Sequence, residues 1–179
     1  MPVPAGSRFS SSMEELFYFA YGSNMSSRRL RQRVPSARPL DVARLDGHRL
    51  AWHKQGRDGS GKCDIAPAHP DDAVYGVLYV MDGAHRPHLD RAEGLGWGYE
   101  LKHVELRLTG GESLTAFTYR AIRIDASYVP YDWYRDHVLI GAREHNLPDH
   151  YVRLIENVPT FEDLDKQRQR MERQLYENA

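Results

Sequence analysis

Two short segments carry the residue types from which a reaction could be built. They are Tyr21-Gly22-Ser23-Asn24-Met25 and the glycine-rich run Glu93-Gly94-Leu95-Gly96-Trp97-Gly98. The first leaves an apolar run at residues 16–20 and precedes a polar stretch at 26–33. A tight Gly-Ser-Asn turn in that position predicts a small cup of backbone N–H groups at the start of a helix. Free donors and the helix dipole together favour a bound carboxylate or phosphate there. The same residues also suit an ordinary strand-to-helix corner. Glu93 falls at the predicted C-terminal end of a helix, where the macrodipole disfavours a carboxylate. Shielding by Trp97 or a nearby tyrosine would raise its proton affinity further, as an acid–base catalyst near neutral pH requires. The flanking glycines let backbone and substrate approach closely. An exposed glutamate beside a glycine cap fits the local sequence equally.

Other chemistry has weaker support. Cys63 is read as lying in a polar loop, with no base nearby in sequence. The nine histidines are scattered, and His85 and His88 share a helix face only loosely, so neither a metal nor another cofactor is expected. Ser23 lacks the Gly-x-Ser-x-Gly elbow of an activated serine. The glycines at 94–98 lack the Lys-Ser/Thr of a phosphate loop and the spacing of a dinucleotide fingerprint. Arg28, Arg29, Arg31 and Arg33 read as a solvated helix face.

The elements that must position these residues are legible as a pattern. Residues 1–12, rich in Ser, Pro and Gly, read as a loose tail, and 13–179 as one domain. After the first strand a short helix is expected over 26–34, then two strands within 39–53 around Asp46-Gly47. A surface loop is expected at 56–62 and a short strand near 65–68 with Pro67 at an edge. Residues 73–80, AVYGVLYV, predict a central strand. Asp82 is placed as the N-cap of a helix over 83–92. A hairpin follows, 99–108 and 113–124, turning at Gly110-Gly111. The remainder turns helical, with Asp132 capping a helix to 144, a second ending at 156, and a third opening at Thr160. There Thr160 and Asp163 resemble a capping box, and Phe161, Leu164, Met171 and Leu175 form one apolar stripe. The fold class is α+β, a curled or closed mixed sheet flanked by helices.

With 179 residues the chain can bury a substantial core. A net charge of −1 argues against nucleic-acid binding driven by overall charge. One cysteine fits a reducing cytoplasm, and no apolar run reaches the about 20 residues of a membrane helix, so a soluble cytoplasmic protein is expected. Eleven tyrosines would serve a pocket that hydrogen-bonds a polar ligand.

Taken together, the segments resemble the γ-glutamylcyclotransferases. The likeness runs from about Phe17 to Ile155 and rests on Phe19-Ala20-Tyr21-Gly22-Ser23-Asn24-Met25, Val42-Ala43-Arg44-Leu45, Val74-Tyr75-Gly76-Val77-Leu78-Tyr79, and Leu89-Asp90-Arg91-Ala92-Glu93-Gly94 followed by Tyr99. It continues through Tyr119, Tyr134 and Ile140-Gly141-Ala142-Arg143-Glu144-His145-Asn146-Leu147-Pro148. The resemblance implies a small mixed β-barrel with surrounding helices. It also implies cleavage of γ-glutamyl amides by internal cyclisation, releasing 5-oxoproline and a free amine or amino acid. By the same token Tyr21 to Met25 would cradle the γ-glutamyl head, Glu93 would carry the proton, and Tyr99, Tyr119 and Tyr134 would line the pocket. Phe at 119 or 134 is expected to weaken binding or turnover with little loss of stability. The partner is then a small γ-glutamyl molecule, with no nucleic acid, no membrane and no cofactor, and a homodimer is compatible with the resemblance. Two other readings stand beside it. One is a γ-glutamylamine cyclotransferase that strips a γ-glutamyl group from a biosynthetic intermediate. The other is a non-catalytic γ-glutamyl or carboxylate-binding protein.

Overall fold

A computed structural model describes residues 14–177, and the expectation for residues 1–12 lies outside them. Alternating apolar residues and glycine turns in the first two thirds form seven strands. These are β1 (Glu15–Ala20), β2 (Arg38–Asp46), β3 (His48–Gln55), β4 (Gly61–Pro67), β5 (Ala73–Asp82), β6 (Tyr99–Leu108) and β7 (Ser113–Ala121). Five of them close a barrel in the order β1-β5-β2-β6-β7, while β3 and β4 form a separate hairpin. Closure is made by β1 lying parallel to β7, with Tyr18 opposite Phe117; the other barrel pairs are antiparallel. The predicted central strand is β5, between β1 and β2. Gly76 to Met81 are buried without a break, the mark of a strand covered on both faces.

The helices are α1 (Ser27–Arg33), α2 (Arg86–Glu93), α3 (Asp132–Glu144), α4 (Asp149–Glu156) and α5 (Lys166–Gln174). The Ser26 hydroxyl caps α1 by accepting from the Arg29 amide. Asp82 accepts from the Ala84 amide and starts the single 3-10 turn that leads into α2. Gly94, at φ +67°, ends α2 in the left-handed conformation that a side chain would resist, which leaves Glu93 as the last helical residue.

The C-terminal part departs from expectation in three places. Tyr131, not Asp132, occupies the cap position of α3, and the Asp132 carboxylate accepts from the next amide, that of Trp133. No helix opens at Thr160. Phe161 instead pairs with Tyr131 in a short bridge, Asp163 is fully buried, and Asp165 caps α5. The expected stripe does not pack: Phe161, Leu164 and Met171 are exposed and Leu175 is half-buried. Polar contacts dock α5 in its place. Glu172 meets Arg29 at 2.8 Å and His137 at 2.7 Å, and the Tyr176 hydroxyl lies 3.1 Å from Ser26 Oγ.

One glycine fixes where α3 sits. A Cβ on Gly141 would fall 2.5 Å from the Ser26 amide nitrogen and 2.6 Å from Met25 Cβ. Its absence lets α3 lie directly on the turn that follows β1, with Met25 fully buried beneath it.

Candidate active site

The turn at the end of β1 is a 3-10 turn over Ser23–Met25, entered through Gly22. The Met25 amide closes it by donating to the Gly22 carbonyl at 3.0 Å. The amides of Gly22, Ser23 and Asn24 donate to no backbone carbonyl among the described residues. They border a small cavity of about 30 Å³ lined by this turn, Glu93 and several tyrosines. Six separate stretches of chain meet there: the end of β1 with its turn, β4, the last residue of α2, β6, β7 and α3.

Glu93 is held at the wall of the cavity by two partners. Asn24 Nδ2 donates to its Oε1 at 2.7 Å, and Arg33 lies 3.2 Å from the same oxygen. Arg33 also donates to Asn24 Oδ1 at 2.9 Å, and Asn24 Nδ2 reaches the Tyr18 hydroxyl at 3.1 Å. The amide of Asn24 is thus used on both ends, and its side chain ties the turn to the carboxylate.

The remaining ionisable groups of the cavity stay neutral. Burial pushes the hydroxyls of Tyr18, Tyr21, Tyr99, Tyr119 and Tyr134 well above the ordinary tyrosine value, and nearby Glu93 adds to the effect on each. Burial likewise pushes the Cys63 thiol up. Glu93 is the one carboxylate among the lining residues. The tyrosines serve as donors, and most of their protons are already committed. Tyr99 donates to the Cys63 carbonyl at 2.7 Å, Tyr119 to Asp90 at 2.6 Å, and Tyr21 to the Tyr119 carbonyl. The Tyr134 hydroxyl instead accepts from the Cys63 amide at 3.1 Å.

Of the residues singled out by sequence, Tyr21, Gly22, Ser23, Asn24, Glu93, Tyr99, Tyr119 and Tyr134 all border this cavity. Met25 does not; it packs under α3. Cys63 is not in a polar loop but on β4, buried against Gly22, where a Cβ would meet it at 3.0 Å. The arginine helix is a solvated face only in part, at Arg28 and Arg31, which are exposed. Arg29 and Arg33, four residues apart on α1, turn inward to Glu172 and Glu93. Their i,i+4 spacing was the available signal. Tyr18 was missed because it lies within the apolar run at 16–20, which marked it only as a strand residue. Among the described residues no cluster of three His, Cys, Asp or Glu could hold a metal ion, and no helix is long and apolar enough to cross a membrane.

Comparison with known proteins meets this geometry from outside. Residues 73–155 match the model of the AIG2-like family. The γ-glutamylcyclotransferase of Bos taurus is 31% identical over 150 residues, covering 81% of this chain and 79% of its own. That of Homo sapiens is 32% identical over 143 residues, covering 77% of this chain and 76% of its own. A solved structure described as a gamma-glutamyl cyclotransferase superposes with a TM-score of 0.81 at 25% identity, covering 90% of this chain and 99% of that one. Identity at this level over most of both chains, on the same barrel, leaves one assignment: the chain belongs to the γ-glutamylcyclotransferase family.

Proposed function

We propose that this protein cyclises a γ-glutamyl amide, releasing 5-oxoproline and a free amine or amino acid, with Glu93 carrying the proton. The observation that carries the reading is the isolation of Glu93. It is the lone carboxylate of a cavity whose other ionisable groups are neutral, hydrogen-bonded at 2.7 Å to a turn with three unengaged amides.

The chemistry follows from those parts. The amides of Gly22, Ser23 and Asn24 hold the substrate's α-carboxylate, which turns its α-amine toward Glu93. Glu93 removes a proton from the ammonium, and the freed nitrogen attacks the γ-carbonyl carbon of the same molecule. A five-membered lactam closes, and the original C–N amide bond breaks as Glu93 returns the proton to the departing nitrogen. The regenerated carboxylate then takes the second proton from the attacking nitrogen, leaving the lactam N–H, and passes it to the released amine, which departs as an ammonium. No protein nucleophile is required, because the attack is intramolecular and the cavity's task is to hold the cyclising conformer. The developing oxyanion needs a donor with a free proton. Tyr134 and Tyr18 each accept a hydrogen bond and keep their own protons uncommitted among the described residues. Both border the turn: the Tyr18 hydroxyl lies 3.1 Å from Asn24 Nδ2, and the Tyr134 hydroxyl 3.6 Å from the position of a Cβ on Gly22, the backbone side of the cup, which favours Tyr134. The single buried cysteine suits a reducing cytoplasm.

The test is a panel comprising a γ-glutamyl amino acid, a γ-glutamyl dipeptide and a γ-glutamylamine. Equimolar 5-oxoproline and free amine from at least one of them is expected. Binding without product, or release of glutamate in place of 5-oxoproline, would contradict the reading.

A further inference from the structure

On the other side of Glu93 lies an outer cleft of about 460 Å³, and Glu93 borders both. A substrate whose γ-glutamyl head fills the inner cavity would extend its leaving amine into this cleft. Six cationic side chains line it against three carboxylates. Arg29 pairs with Glu172, Lys62 with Asp58, and Arg168 with Asp163. Lys54, Arg57 and Arg91 make no ion pair among the described residues. Arg57 and Arg91 are exposed at the rim, but Lys54 is only 7% exposed.

The chain takes specific steps to turn Lys54 inward. The β3–β4 pairing slips between Ala51 and Lys54, so that three steps along β3 match two along β4. This bulge inverts the alternation, and Ala51 and Lys54 are both buried although they stand three positions apart on the strand. The ammonium rests 4.7 Å from the ring centroid of Tyr99 and 5.5 Å from that of Trp97. Gly98 makes room for it, since a Cβ there would lie 2.8 Å from Nζ. Tyr99 also lines the inner cavity, so Lys54 stands where the outer cleft adjoins it. Glu93 and Asp58 act on this ammonium only at longer range, and two aromatic faces offset only part of the cost of desolvating it without a carboxylate in contact. A carboxylate on the leaving amine would supply that contact.

We propose that Lys54 is a specificity-determining residue that binds the α-carboxylate of the leaving amino acid. The protein then prefers γ-glutamyl amino acids to γ-glutamylamines. The inference rests on the cyclotransferase reading above and adds to it the identity of the leaving group. A matched pair of substrates separates the two: γ-glutamyl-L-alanine and its C-terminal amide, which differ only in the charge at issue. The ratio of kcat/KM for acid over amide is expected to be about 10- to 100-fold, the range of a charge-assisted hydrogen bond. Lys54→Met, which keeps the stem and removes the charge, is expected to bring that ratio toward unity, and Lys54→Arg to retain most of it. Partial misfolding lowers both rates together and leaves the ratio unmoved. A ratio near unity in the unaltered protein, or one undiminished in Lys54→Met, would overturn the role of Lys54 while 5-oxoproline release still upheld the cyclotransferase reading. Absence of 5-oxoproline from both substrates would overturn the two together.

Discussion

A tyrosine hydroxyl has one proton to give, and the accounting of those protons separates the residues of the cavity. Tyr99 gives its proton to the Cys63 carbonyl, whereas Tyr134 receives the Cys63 amide proton and keeps its own. The two hydroxyls therefore brace the same residue of β4 from opposite ends of its peptide units. This revises the expectation that phenylalanine at 134 would leave stability nearly unchanged. Tyr134→Phe strands a buried amide and Tyr99→Phe a buried carbonyl, and each is expected to cost about 1–3 kcal/mol in denaturant unfolding. Only Tyr134→Phe also removes a free donor, so its kcat is expected to fall by about 10²–10³-fold and that of Tyr99→Phe by much less. Equal losses of turnover in the two variants would move the oxyanion donor away from Tyr134.

At the scale of elements, α5 is strapped to the barrel by charge. Burial alone would raise the Glu172 carboxyl, but hydrogen bonding to His137 and the charge of Arg29 outweigh it and hold the group at about 2. Hydrogen bonds from Arg168 likewise hold Asp163 down to about 2. Both values lie below the ordinary 4.5 and 3.8, so each carboxylate stabilises the docked state above those values. The contribution is lost as pH falls from about 4.5 toward 2. Amide-exchange protection of residues 166–174 is expected to drop through that window ahead of the barrel strands, and protection unchanged across it would contradict the strap. The same strap explains what sequence could show. Most strands, the hairpin (expected over 99–124, with its second strand ending at Ala121) and the stop at Gly94 were legible because alternation and turn chemistry are local signals, whereas the start of β4, Gly61 to Cys63, reads as loop. The start of α5 was not legible either, because a burial decided by Asp163, Arg168 and Trp133 depends on elements distant in sequence.

The whole molecule brings six stretches of chain to one cavity, and that assembly sets the limit of what residues alone disclose. Glu93 and the turn at 21–25 stand out by their glycines and their order along the chain. Arg33, Tyr18 and Lys54 do not, since helix docking, barrel closure and a bulge decide which way each points. Once folded, the cavity is lined by a single carboxylate, and the proposed γ-glutamyl cyclisation requires a group that takes a proton and gives it back. Replacing Glu93 by glutamine preserves its shape and its place beside Asn24 while abolishing proton transfer. The most direct measurement is 5-oxoproline release from γ-glutamyl-L-alanine by Glu93→Gln, with folding verified by circular dichroism. A fall in kcat of about 10²–10⁴-fold is expected; near-normal turnover by the folded variant would contradict the role given to Glu93.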